Sequence, residues 1–279
     1  MESCDKKTND SWRLGDMKRY IRLYIIFLKQ YMKAQMQSKL DFLMGFFSFF
    51  LNQILGIVFI YLVFEKIPNL NGWSFDQMIF IYGFAQIPRG IDHFVSDYLW
   101  VFTRKTVRDG SFDRYLLRPI NPVYQIIIER CQPDGIGEIL VGILLVIRSA
   151  RNLNLQFSII SLVLFIISVI VGAIIFTSVK LFFATNAFFM KDAYSLLFLA
   201  YNTSDFVKYP LEIYSKPVRM ILNYIIPFGF TAFIPASYFL KAGSVFTTIG
   251  AEIVIAILAF TIAYRYFCFG CKRYESAGN

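Results

Sequence analysis

Two stretches without a formal charge, Phe42 to Phe64 and Phe157 to Val179, run for 23 residues each. A helix crosses the hydrocarbon core of a bilayer in about 20 residues, so either stretch is long enough to span it. Inside lipid the backbone must satisfy its own hydrogen bonds, which a helix does within a single segment. The rest of the chain agrees: of 279 residues 57% are hydrophobic, 17% are charged and 31 are Phe. A soluble domain usually carries about 25% charged residues. The expected fold class is an all-α polytopic membrane protein.

Hydropathy divides the chain into six expected spans. They are Asp41 to Phe64, Phe75 to Val95, Asp134 to Ile147 with a helix that starts earlier near Pro122 or Pro133, Phe157 to Phe183, Asp192 to Phe206, and Thr247 to Phe267. Residues 1–40 form an expected cytosolic N-terminus, 41–267 the membrane domain, and 268–279 a cytosolic tail. The polar start shows no cleavable signal pattern, so the first span is expected to stay as an anchor. Met220 to Leu240 is apolar, but Pro210, Pro217, Pro227 and Pro235 punctuate its neighbourhood. Interior prolines remove helix hydrogen bonds, which favours re-entrant half-helices within 205–246 over a seventh span.

The basic residues test this topology. With a cytosolic N-terminus, 20 Lys and Arg fall inside and seven outside, and Arg89 remains within a span. That asymmetry obeys the positive-inside rule. The net charge of +9 is accounted for in the same way, through orientation and anionic lipid, and no aromatic-basic groove motif argues for nucleic acid. Lys18, Arg22, Lys29 and Lys33 share one stripe of a helix otherwise covered by Tyr, Ile, Phe and Leu, the pattern of a helix lying in the membrane interface. A cytosolic extension of the first span is the alternative. Cys4, Cys131, Cys268 and Cys271 form no disulfide framework, and reduced thiols are expected rather than a zinc site.

Charges inside spans are functional candidates. Arg89 and Asp92, three residues apart, read as a local ion pair with Arg89 snorkelling to the cytosolic interface. Glu138, Asp192 and Glu252 lie near span ends and are the acids available for ion coupling. His93 is the only histidine and shares a helix face with Asp97, a spacing that suits an acid/base pair but comes without a nucleophile motif. No phosphate loop is present, since Lys7-Thr8 and Lys105-Thr106 lack the preceding glycines. The chain is therefore expected to hold neither ATP nor Mg2+ itself, and not to be an enzyme.

One insert stands out, "RDGSFDRYLLRPINP", Arg108 to Pro122. Its apolar and charged residues suggest a short amphipathic helix that stops before Pro119, because the residue preceding a proline is pushed out of helical geometry. "GSFDRYLLRPINPVYQ" resembles the G-x-x-D-x-x-L-L-R-P-x-x-P signature of bacterial ABC exporter permeases of the second type, in the subfamily of multidrug and antibiotic-resistance exporters. "GWSFDQMIFIYGF" (Gly72 to Phe84) and "YPLEIYSKPVRMILNYIIPFGFTAFIPA" (Tyr209 to Ala236) are similar to further segments of that family.

The resemblance implies a coupling helix in the cytosolic loop 96–133 that docks on a separate ABC ATPase subunit, which would carry ATP and Mg2+. It also implies a second permease half, identical or related, and re-entrant helices before the last span. The coupling-helix roles would fall on Gly110, Phe112, Asp113, Tyr115, Leu116, Leu117, Arg118 and Pro119. Phe112, Tyr115 and Leu116 would form an apolar plug, and Asp113 and Arg118 polar contacts. Export across the bacterial inner membrane follows as the expected function, with a cargo of unknown identity in the amphiphilic or drug-like class. An ion-coupled secondary transporter working without an ATPase is the alternative, and a membrane enzyme built on His93 ranks third.

Overall fold

The computed structural model describes residues 14–35, 39–67, 69–190, 192–241 and 243–275. Among them twelve α-helices follow one another: α1 Leu14–Gln35, α2 Lys39–Lys66, α3 Phe75–Ser96, α4 Tyr98–Val101, α5 Asp113–Leu117, α6 Pro122–Ile128, α7 Asp134–Asn152, α8 Ile159–Ala184, α9 Tyr194–Asn202, α10 Lys216–Met220, α11 Phe233–Lys241 and α12 Ala251–Arg273. The described residues contain no strand, only an isolated Leu70–Trp73 bridge.

Local chemistry sets the helix ends. Asn71 and Gly72 take positive φ in the turn before α3, and Ser74 and Gln77 then close a capping box. Asn121 accepts from Val123 N at 2.9 Å and Pro122 supplies the first helical position of α6. Ser158 caps α8 by accepting from Ser161 N at 3.1 Å. The interruption expected between Met220 and Leu240 is visible in the backbone: α10 runs into a π-helical turn, breaks at Ile226–Pro227, and resumes as α11.

The tightest packing joins α3 to α7, which run antiparallel with Gly83 and Gly90 facing Gly142 and Gly135. A methyl group at Gly90 would lie 2.7 Å from Gly135 O and 2.9 Å from Glu138 Cβ. Absent side chains let the backbones approach, which is how helices associate where no water drives them together. Around this seam sit three apolar clusters. The largest surrounds Trp73, Phe80, Phe84, Phe176 and Phe228, a smaller one joins α2 to α3 through Ile60, Phe64, Met78 and Tyr82, and the third underlies the loop carrying α5.

Two helical stretches among the described residues, Ile159–Phe188 and Phe246–Arg273, are long and apolar enough to cross a membrane by length and composition. Apolar side chains also cover much of the outside. Phe47 on α2, Ile160 on α8 and Ile257 on α12 are all more than half exposed. An apolar surface on this scale is stable only against lipid or another apolar partner.

Candidate functional site

The loop 96–133, with Gly110 to Pro119 within it, is where sequence placed the docking element. Its chain leaves α4 through a π-helical turn, Phe102–Thr106, and reverses at Gly110, whose φ of 69° is the left-handed conformation that glycine adopts at little cost. Phe112 N then donates to Thr106 O at 3.0 Å and Asp113 N to Gly110 O at 3.2 Å, seating the first turn of α5. The helix stops after Leu117, with Arg118 extended ahead of Pro119.

The side chains do not face the way the plug assignment requires. Phe112 and Tyr115 are fully buried within their own chain. The Phe112 ring lies 5.0 Å from Phe188, 6.3 Å from Phe267 and 5.0 Å from Tyr274, centroid to centroid. Leu116 packs partly against the same cluster. The outward surface is made instead by Leu117, 84% exposed, with Arg118 and Pro119 beside it. A helix of five residues has too little pattern to fix its own face, and an aromatic core beneath the loop outcompetes solvent for both rings.

Polar bonds hold the loop in place. Tyr115 OH donates to Tyr98 OH at 3.0 Å, and Arg114 donates to Tyr115 OH at 2.8 Å and to Glu129 at 3.1 Å. Burial and the adjacent Tyr98 hydroxyl push the Tyr115 phenol well above its ordinary pKa, so it stays a proton donor. Gln125, which sequence reasoning passed over, donates to Tyr115 O at 3.1 Å and Ile120 O at 2.8 Å and so ties α6 to the end of α5. Tyr115→Phe should cost about 1 kcal/mol through the lost hydroxyl bonds, read as a small drop in the thermal midpoint with the fold retained.

Helix α1 lies against the same region. Tyr124 donates to Tyr20 O, the two rings meet edge to face at 4.6 Å, and the Arg130 guanidinium stands 5.7 Å from the Tyr31 ring. Lys18, Arg22, Lys29 and Lys33 all point away into an exposed basic stripe.

The intramembrane candidates are paired differently from the sequence expectation. Arg89 and Asp92 do not bond to one another, and Arg89 does not snorkel. Arg89 donates to Asp205 at 2.6 Å, which also pairs with Lys208 at 2.7 Å, and its guanidinium sits 5.2 Å from the Tyr201 ring. Asp92 pairs with Lys180 at 2.9 Å, with both side chains fully buried, while Ser96 and Thr177 donate to its other oxygen at 2.6 and 2.8 Å. Lys180 and Asp205 were invisible because each lies far along the chain from its partner.

The acids resolve in the same manner. His93 stands between Glu138, 3.5 Å away, and Asp97, 3.7 Å away, and Arg130 reaches Asp97 at 3.0 Å. The shared face of His93 and Asp97 is thus present, joined by Glu138 from α7. Glu252 is fully buried and accepts from Ser168 at 2.5 Å, tying α12 to α8. Asp192 instead accepts from Tyr194 N at 2.8 Å at the start of α9. Among the described residues no group of three His, Cys, Asp or Glu side chains could hold a metal ion; Cys4 lies outside them.

Comparison with known proteins gives one assignment. No curated protein and no solved structure matches. A family model, described as ABC-2 family transporter protein, matches residues 50–278, which takes in α3 with its buried charges, the α5 loop and all that follows. The chain therefore belongs to the ABC-2 family of transporter proteins and is a membrane permease of an ABC transport system.

Proposed function

We propose that this chain is the membrane-spanning half of an ATP-driven exporter, with six spans, cytosolic termini and a separate ATPase subunit that holds ATP and Mg2+. The family match over residues 50–278 carries the reading. Two such halves, identical or related, enclose the substrate path. Leu117, Arg118 and Pro119 form the contact with the ATPase, while Phe112 and Tyr115 shape that contact from beneath and never touch the partner. This placement is supported by the 84% exposure of Leu117 on a loop whose neighbours are bonded down. A lone exposed leucine is ordinary on a soluble surface. Here it projects from a rigid loop that also carries a cation and a proline.

Leu117→Asp combined with Arg118→Glu should reduce recovery of the ATPase with the tagged permease by about tenfold or more, because a buried acid and a reversed charge both oppose docking. The permease itself should remain monodisperse, since neither side chain is buried in it. Unchanged association with retained transport would reject the docking surface. Gradient-driven transport by the purified chain in liposomes without any ATPase would reject the exporter and favour the ion-coupled reading, for which Glu138 and Glu252 are candidates among the buried acids.

A further inference from the structure

Helices α7 and α8 are joined by only a few residues, Leu153 to Ser158, yet they do not zip together. Each leans on α3, and between them they leave a groove of about 710 Å3. Ile143 and Ile147 of α7 form one wall, Leu162 and Phe165 of α8 the other, and Ile87 of α3 the floor. Ile143, Ile147 and Leu162 are 39%, 45% and 53% exposed, so the groove is open along the apolar flank of the helices. At one end the character changes: Arg151, Asn154 and Gln156 close it. Arg148 and Arg151 lie one turn apart on α7, both exposed, and no carboxylate among the described residues forms a salt bridge with either. A second, smaller cavity of about 250 Å3 adjoins this end, sharing Leu155, Gln156 and Phe157 and adding Ser161 and Tyr238.

We infer that this groove is a binding site for an acyl-chain amphiphile with an anionic headgroup, drawn from the outer leaflet. The apolar trough takes a hydrocarbon chain, and its volume falls within the range of about 300–1,000 Å3 typical of small-molecule sites. Arg151 lines the polar end of the groove and offers the headgroup unneutralised positive charge, Arg148 one turn back on α7 adds to the local positive field, and the adjoining cavity gives that headgroup polar room. Charge selects the ligand: a zwitterionic lipid fits the trough equally but gains little from the two guanidinium groups. The outer-leaflet source rests on the topology proposed above, which puts residues 148–158 on the outer face.

The test uses the purified full chain in detergent, offered phosphatidylglycerol and phosphatidylcholine in equal amounts, with retained lipid measured by native mass spectrometry. Wild type should retain phosphatidylglycerol preferentially. Arg148→Ala with Arg151→Ala should lose that preference by about tenfold, while Ala150→Trp, which fills the trough, should lose both lipids. A preference that survives the double alanine variant overturns the site, as does undiminished retention of both lipids by the tryptophan variant. A second measurement separates the site from the topology. Gln156→Cys should react with a membrane-impermeant maleimide from outside the cell; labelling only from the cytosolic side overturns the outer-leaflet source even where the lipid results hold.

Discussion

Lys180→Met is expected to leave little folded protein. Lys180 and Asp92 are fully buried and bonded at 2.9 Å, and removing the ammonium strands a carboxylate in the interior with only the Ser96 and Thr177 hydroxyls for company. Breaking a buried pair by deleting one partner costs about 3–5 kcal/mol. Typical domains have only about 5–15 kcal/mol in all. The double variant Lys180→Met with Asp92→Leu should recover much of the loss, because the intact pair returns little more than its own desolvation cost. Thermal midpoints of detergent-solubilised protein, followed by size-exclusion recovery after heating, would decide it. A single variant as stable as wild type would show that the pair is not buried as described, and a double variant worse than either single would show that the charges matter for more than mutual neutralisation.

Gly135→Ala should be comparably damaging, through volume instead of charge. A methyl group at Gly135 already meets Gly90 O and lies 2.7 Å from Phe94 N, both of them backbone atoms that cannot rotate aside. Overpacking ordinarily costs about 1–3 kcal/mol, and a clash with backbone belongs at the top of that range or beyond it. The defect should spread along the seam, since Gly83 and Gly142 depend on the same helix separation. Gly250→Ala is the matched control: its nearest neighbour, Val245 O, would be 3.7 Å from the added carbon, so little change is expected. Equal yields and midpoints for the two variants would contradict the glycine seam.

What the sequence disclosed follows the range of the forces involved. Two of the expected spans came through because hydrophobic runs are local and long: α8, Ile159–Ala184, lies almost on the expected Phe157 to Phe183, and α12, Ala251–Arg273, overlaps the expected Thr247 to Phe267 but is shifted toward the carboxyl end. The stop before Pro119 came through because proline acts on its immediate neighbour. Buried ion pairs did not, since nothing near Asp92 announces Lys180 and a same-helix partner at Arg89 offered a simpler pairing. The seam was available and overlooked: Gly83 and Gly90 are seven apart, as are Gly135 and Gly142, and two equal glycine intervals in adjacent apolar segments signal an antiparallel contact. The wrong face of α5 had a different origin. Phe112 is amphipathic company for Tyr115 in either orientation, and only the aromatic rings of Phe188, Phe267 and Tyr274, far along the chain, decide which side they take.

Those rings have a mechanical consequence. Phe112 is wedged against the turn after α8 and the carboxyl end of α12 at once, and Phe102, just ahead of the loop, touches Phe188 and Phe267 at 5.4 and 6.0 Å. A force applied at Leu117 cannot flex the loop alone, because any tilt of α5 drags on two long helices. The loop is a knuckle joining two long bones, and its stiffness determines how much of a push at Leu117 arrives, undiminished, at the far ends of α8 and α12.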